Sequence, residues 1–234
     1  MAITTGYVDI QAADGGIFQA YFSQPADVDA NTLPGLLIVQ EIFGVNSHIR
    51  SVADDYAEQG FSVLVPDVFW RAEPGVELTY DMDSVMRGMG MWKQITSEQI
   101  VADLLSSVGT LQSRSNGTVA AVGYCMGGQM VFRLAATGAI QAGICYYGGG
   151  IGGVLDQANR ISVPMLFHYG TLDKSIPPTE IEAVRLALAA HKNVTIHVYD
   201  NADHGFNCDQ RASYNAEVAQ LSRERSLAFL RSVL

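Results

Sequence analysis

Six short and almost uninterrupted apolar runs recur along the chain, and they constrain its fold more than any other feature. They cover residues 35–42, 61–67, 118–125, 142–149, 164–170 and 194–200. Continuous apolar runs of this length are typical of strands that are buried on both faces, as in a parallel sheet. Segments with helical spacing separate them. Strand followed by helix, repeated, predicts an α/β fold with a mostly parallel central sheet and helices on both faces.

The segments outside these runs carry local structure signals. Residues 47–59 are predicted to be helical, with Asn46 and Ser47 both good N-caps and Gly60 at the end. Thr179 has a glutamate, Glu182, three positions later, and this pair predicts a capping box for another helix. The first 30 residues instead alternate between apolar and polar side chains around a DGG sequence, which indicates a β-hairpin.

Composition bounds the class of protein. The 234 residues contain no repeat or linker, so one domain over 1–234 is predicted. A net charge of −10 argues against a nucleic-acid partner. Three widely spaced cysteines form no disulfide or metal pattern. The chain lacks a signal-like start and any apolar run long enough for a membrane span, so a cytoplasmic monomer or weak homo-oligomer without membrane partners is expected.

The sequence VGYCMGG, residues 122–128, places Cys125 between two glycines, directly after one predicted strand and before a predicted helix. In such a turn a nucleophile is held in strained backbone angles above the sheet, and small neighbours such as Gly123 and Gly127 prevent clashes. The N-terminus of the following helix favours a thiolate. The alternative interpretation is a buried free cysteine in a glycine-rich turn.

Two further residues follow later apolar runs in an informative order. Asp173 lies three positions beyond Gly170, and His204 lies beyond the last predicted strand. Nucleophile, acid and histidine in this order predict an α/β-hydrolase fold, with His204 as base and Asp173 as the acid that orients it. The main-chain N–H groups of Met126 and Ile42 are the expected oxyanion donors.

These motifs resemble those of the dienelactone hydrolase family over nearly the whole chain. The resemblance lies in QEIFGVN at residues 40–46, in VGYCMGG, in the VPD sequence around Asp67, and in the surroundings of Asp173 and His204. It implies a triad of Cys125, Asp173 and His204. It also implies a catalytic role for Glu41, which holds or takes the thiol proton. The alternative for Glu41 is a surface glutamate that happens to end a strand.

The chain departs from the family where arginines clamp the carboxylate of dienelactone. Cys208 occupies one such position, and Arg87 lies two residues from the other, whereas Arg71 matches a family arginine. Arg71 and Arg87 are therefore candidate substrate-binding residues. Six large apolar residues are further candidates for a substrate pocket, with ordinary core packing as the alternative: Phe43, Tyr80, Met89, Trp92, Tyr147 and Phe206.

The leading hypothesis is a carboxymethylenebutenolidase-like hydrolase of small-molecule carboxylic esters or lactones. It would work without a cofactor or metal, through an acyl-thioester at Cys125. A thioesterase or acyltransferase with the same triad is the second hypothesis. A ligand-binding pseudoenzyme that lost turnover is the third, because Cys208 replaces a family arginine.

Overall fold

The computed structural model describes residues 1–234, which divide into two units, Met1–Ala120 and Ala121–Leu234. The strands are β1 Ile3–Gln11, β2 Ile17–Pro25, β3 Gly35–Val39, β4 Ser62–Pro66, β5 Val119–Tyr124, β6 Ala142–Tyr146, β7 Met165–Gly170 and β8 Val194–Tyr199. The α-helices are α1 Ser47–Glu58, α2 Met82–Trp92, α3 Ser97–Gln112, α4 Met126–Ala135, α5 Pro178–Ala187 and α6 Ala216–Val233. Two 3-10 helical segments cover Ala30–Thr32 and Ile151–Arg160. A single domain over 1–234 stays a prediction.

The first unit combines an antiparallel edge with a parallel pair of strands, in the order β1-β2-β4-β3. β1 and β2 form the predicted hairpin, with Ile3 opposite Pro25 and Gln11 opposite Ile17. β2 pairs with β4 in antiparallel orientation, and β3 pairs with β4 in parallel. Every residue of β3 and β4 is buried, which agrees with the continuous apolar runs.

The second unit contains most of β5 and the strand order β5-β6-β7-β8. β6 pairs with β7 and β7 with β8, both in parallel. Helix α4 packs against β6, and α6 packs against β6 and β7. The predicted α/β class with a mostly parallel sheet is confirmed. None of the helices is both long enough and apolar enough to span a bilayer.

The helix ends are set by local side-chain chemistry, and one predicted cap differs from the structure. Asn46 caps α1 as predicted and accepts a hydrogen bond from the third helical residue. The capping box predicted at Thr179 is wrong, because α5 begins earlier, at Pro178, and its N-cap makes no side-chain hydrogen bond. Proline fits the first helical position and moves the boundary. A capping box occurs instead on α3, between Thr96 and Gln99.

Helix α2 lies outside the elements that the sequence predicts. Two glycines, Gly88 and Gly90, lower its helical propensity and hide it from pattern analysis. Gly88 has a packing reason, since a Cβ atom there would lie 2.1 Å from the carbonyl oxygen of Ile42. The helix therefore crosses the chain that follows β3 at a distance that only glycine allows.

A buried hydrogen-bond chain lies in the second unit and centres on His168, whose ring is fully buried. Its Nδ1 is 2.8 Å from the Tyr199 hydroxyl and its Nε2 is 3.0 Å from the Ser226 hydroxyl. Ser226 in turn bonds the Tyr146 hydroxyl at 2.7 Å. These bonds join α6 to three strands. Burial, reinforced by the nearby charges of His197 and Arg225, holds the pKa of His168 well below its usual value.

This buried histidine predicts a defined pH dependence of stability. Below pH 6.5, roughly the pKa of a free imidazole, the unfolded chain binds a proton that folded His168 cannot bind. The free energy of unfolding should therefore fall as pH falls, with His168 contributing up to about 1.4 kcal/mol per pH unit. Urea denaturation curves at about three pH values between pH 5 and pH 7 measure this slope. His168→Gln should reduce the slope by about one proton, whereas the control His191→Gln should leave most of it. An unchanged slope in His168→Gln would contradict the prediction.

Candidate active site

Cys125 occupies a strained turn between β5 and α4. Its φ of 55° and ψ of −119° lie in a region that residues other than glycine rarely adopt. The Cys125 N–H donates to the carbonyl oxygen of Tyr146 at 3.0 Å, which anchors the turn to β6. A Cβ atom on Gly123 would lie 2.0 Å from the Gly127 carbonyl oxygen. The strained backbone angles and the requirement for glycine that the sequence predicts are therefore observed.

Exposure separates Cys125 from the other two cysteines. Cys125 is partly exposed, whereas Cys145 and Cys208 are buried. Burial raises the pKa of the Cys145 thiol, so that side chain behaves as a small apolar group. Cys125 is also the N-cap of α4, where the helix dipole favours negative charge on sulfur. Of the three thiols, Cys125 has the environment of a nucleophile.

His204 and Asp173 form a short hydrogen-bonded pair. His204 Nδ1 lies 2.8 Å from Asp173 Oδ2, and the Asp173 side chain is only 2% exposed. Burial pushes the pKa of Asp173 up, but the hydrogen bond and charge of His204, with hydrogen bonds from Ser175, outweigh it. The net pKa of Asp173 is lower than usual. The carboxylate is therefore ionised at neutral pH and fixes the proton on Nδ1.

The charge state of His204 is coupled to Cys125. Burial alone would lower the pKa of His204, but negative charge on Cys125 and hydrogen bonds to Cys125 and Asp173 raise it to about 10. Cys125 and Asp173 thus both favour the protonated form of His204. The structure brings together the three residues that the sequence selects. Their catalytic roles stay predictions.

An aromatic cluster lies beside the imidazole. The Tyr147 ring centroid lies 5.1 Å from that of His204, and the Phe206 ring lies 5.2 Å from Tyr147. Tyr147 has φ 36°, and its N–H donates to the His168 carbonyl at 2.8 Å. Tyr147 and Phe206 have no exposed surface; Tyr147 packs against His204, and Phe206 packs against Tyr147. Substrate contact by either residue stays a prediction.

Both candidate arginines are engaged in ion pairs. Arg71 makes two hydrogen bonds to Asp103, at 2.7 and 2.8 Å, and one to Asp14 at 2.6 Å. Arg87 lies 2.6 Å from Glu73, and both of these side chains are about half exposed. Substrate binding by Arg71 and Arg87 stays a prediction, and the ion pairs are the contacts that the structure gives them. Asp103 comes 32 positions after Arg71, so sequence pattern alone does not reveal this partner.

The other predicted site residues lie on or next to β3, α2 and α4. Glu41 follows β3 and is fully buried, so the alternative of a surface glutamate is wrong. Ile42 and Phe43 come next in the chain and are also buried. Met126 is the first residue of α4, and Trp92 is the last residue of α2. The oxyanion roles of Ile42 and Met126 and the substrate roles of Phe43 and Trp92 stay predictions.

Ser175 contacts the pair of Asp173 and His204, and sequence reasoning missed it. Its hydroxyl lies 2.5 Å from Asp173 Oδ1 and 3.1 Å from His204 Nδ1. A partial signal was present, because an aspartate side chain commonly accepts a hydrogen bond from the main-chain N–H two residues later, as from Ser175 here at 2.9 Å. The second contact, to a histidine 29 positions away, depends on tertiary structure.

Comparison with known proteins agrees with this architecture. A profile of the dienelactone hydrolase family matches residues 18–234. The carboxymethylenebutenolidase of Pseudomonas putida is 33% identical over 226 residues, which cover 95% of this chain and 94% of that protein. That of Pseudomonas sp. strain P51 is 33% identical over 228 residues, covering 96% and 94%.

A solved structure extends the agreement to three dimensions. A Klebsiella pneumoniae subsp. pneumoniae protein named after dienelactone hydrolase has 31% sequence identity and a TM-score of 0.88, covering 98% of both chains. The likeness in fold covers nearly the whole chain. With the family profile and the curated relatives, it establishes that the chain is a hydrolase of the dienelactone hydrolase family, with an α/β-hydrolase fold.

Proposed function

We propose that the protein hydrolyses carboxylic esters or lactones, with Cys125 as nucleophile, His204 as base and Asp173 as the acid that orients the imidazole. The observation that carries this proposal is the bond from His204 Nδ1 to Asp173 Oδ2 at 2.8 Å, next to a thiol on a strained turn. This arrangement supplies a nucleophile, a proton acceptor and an orienting carboxylate. The names of the curated relatives support the same class of substrate.

The first half-reaction forms an acyl-thioester. His204 takes the proton of the Cys125 thiol, and the sulfur attacks the carbonyl carbon of the ester or lactone. A carbon–sulfur bond forms, and the bond from carbon to the alkoxide oxygen breaks. His204 then protonates that oxygen, which leaves as an alcohol or, from a lactone, stays tethered to the acyl group. Asp173 stabilises the imidazolium through its hydrogen bond.

The second half-reaction releases the acid. Water attacks the thioester carbon while neutral His204 accepts its proton, and the carbon–sulfur bond breaks. The thiol or thiolate of Cys125 is regenerated, so the cycle consumes one water and needs no cofactor. Both half-reactions develop negative charge on the carbonyl oxygen. We assign its stabilisation to the main-chain N–H groups of Met126 and Ile42. The place of Met126 at the start of α4 supports this assignment.

Glu41 has the role that the family resemblance implies, and its complete burial supports that role. A carboxylate at this depth is costly unless it is paired or hydrogen-bonded, and a part in the proton transfer from Cys125 gives a reason for its position. Glu41→Gln should lower the rate of acylation about 10- to 100-fold, in the range of a lost general base. The burst of p-nitrophenol in stopped-flow measurements reports this step. Glu58→Gln, on the exposed end of α1, is the control, and an unchanged burst rate in Glu41→Gln would contradict the role.

A substrate panel tests the proposed function against its alternatives. Short p-nitrophenyl esters, neutral lactones and a lactone that bears a carboxylate are each offered to the wild-type protein. Hydrolysis of esters or lactones is the expected result. Acyl transfer to an alcohol or thiol in preference to water would favour an acyltransferase, and preference for acyl-thioester substrates would favour a thioesterase. Ligand binding without turnover on any member of the panel would favour a pseudoenzyme.

A further inference from the structure

We propose that Ser175 is a positioning residue of this active site, and that its hydroxyl fixes the rotation of the Asp173 carboxylate so that one oxygen always faces His204. This inference rests on the proposed function, because it assigns Ser175 a role in the same reaction. It adds a fourth side chain to the group of Cys125, Asp173 and His204.

The contacts divide the two carboxylate oxygens into separate tasks. Asp173 Oδ1 accepts hydrogen bonds from the Ser175 N–H at 2.9 Å, the Ser175 hydroxyl at 2.5 Å and the Ile176 N–H at 3.2 Å. Asp173 Oδ2 accepts from His204 Nδ1 at 2.8 Å. Three donors on Oδ1 resist rotation of the carboxylate, because rotation would break all of them together. Oδ2 is thereby reserved for the imidazole.

The Ser175 hydroxyl also contacts the imidazole. Its oxygen is 3.1 Å from His204 Nδ1, so it offers a second acceptor to the same N–H. A hydroxyl that donates to Asp173 and accepts from His204 restrains the orientation of both side chains. When His204 carries the extra proton during the reaction, this position stays compatible with the imidazolium, since a hydroxyl oxygen accepts from either form of the ring.

A purely local role is the alternative. An aspartate that bonds the N–H two residues later forms an ordinary turn, and the hydroxyl could simply strengthen it. The contact between Ser175 and His204 Nδ1 distinguishes the two roles, since a turn does not require it. Ser175 is exposed overall, so changing its side chain leaves the packed interior intact.

The test compares Ser175→Ala with Ser175→Thr, which keeps the hydroxyl. With a p-nitrophenyl ester as substrate, Ser175→Ala should lower kcat about five- to tenfold and change KM less than about twofold, as expected for one hydrogen bond that supports catalysis. Ser175→Thr should stay within about twofold of the wild-type kcat. Thr179→Ala removes an exposed hydroxyl on the neighbouring helix α5 and is the matched control.

A double-mutant cycle adds a readout that a turn-forming role would not move. In the Asp173→Asn background, Ser175→Ala should change kcat by less than about twofold, because the carboxylate that it positions is absent. Unchanged kcat in Ser175→Ala, equal losses in the alanine and threonine variants, or a full loss that persists beside Asp173→Asn would each overturn the proposal. If Cys125→Ala and Asp173→Asn are themselves fully active, the proposed function fails instead, so the two failures are distinguishable.

Discussion

Replacing Cys125 by alanine is expected to lower kcat/KM for a p-nitrophenyl ester by about 10⁴-fold or more, as happens when the nucleophile of a catalytic triad is removed. The proposed reaction proceeds through a bond to sulfur, and no other group of the turn can replace it. Cys125 combines partial exposure with φ 55° at the N-terminus of α4. Alanine removes the sulfur and little else, so folding should persist.

A matched control isolates the nucleophile from general thiol loss. Cys145→Ala removes a buried thiol in β6 of the same unit and should leave kcat/KM within about twofold of wild type, since ordinary changes away from the site have small effects. Circular dichroism and a thermal melt verify that both variants fold. Ester hydrolysis at near wild-type rate by Cys125→Ala would exclude the sulfur as nucleophile.

Replacing Asp173 by asparagine is the second large effect, with an expected fall in kcat of about 10³- to 10⁴-fold, the range seen when the orienting acid of a triad becomes an amide. The change conserves shape but removes the charge that fixes the proton on His204 Nδ1. An amide NH₂ group facing Nδ1 favours the opposite tautomer, which directs an N–H towards the thiol. The imidazole then cannot accept the thiol proton.

The measurement is steady-state hydrolysis by Asp173→Asn beside Asp200→Asn. Asp200 is exposed in the loop after β8, so its substitution should leave kcat unchanged within about twofold. KM should change little in either variant, because Asp173 acts on the imidazole and not on the bound ester. A loss confined to KM, or equal losses in both variants, would contradict the assignment of Asp173 as the orienting acid.

Much of the arrangement around Cys125 could be predicted because its causes are local. The glycines at 123 and 127 mark a sharp turn, in which a Cβ atom on Gly123 would clash with the Gly127 carbonyl oxygen, and the strand and helix on either side carry clear patterns. Asp173 and His204 follow from their order after later strands. These signals depend on the order of residues along the chain and on backbone sterics, and both can be inferred from the sequence alone.

Other features depend on partners that are distant in the chain. Arg71 forms an ion pair with Asp103, and no local sequence pattern predicts this pair. Helix α2 contains Gly88 because the helix passes close to Ile42, and the sequence of the helix alone does not show this packing reason. The contact of Ser175 with His204 arises only when two loops meet. Tertiary contacts thus determine what the local signals leave open.

The most direct test of the central claim is to identify the atom that becomes acylated. Wild-type protein is mixed with a p-nitrophenyl ester, quenched in acid within the first turnovers, and analysed by peptide mass spectrometry. The expected result is an acyl group on the peptide that contains Cys125, bound as a thioester that hydroxylamine releases, and no such adduct in Cys125→Ala. An acyl group on a different residue, or turnover by Cys125→Ala without any adduct, would contradict a mechanism in which Cys125 attacks the substrate.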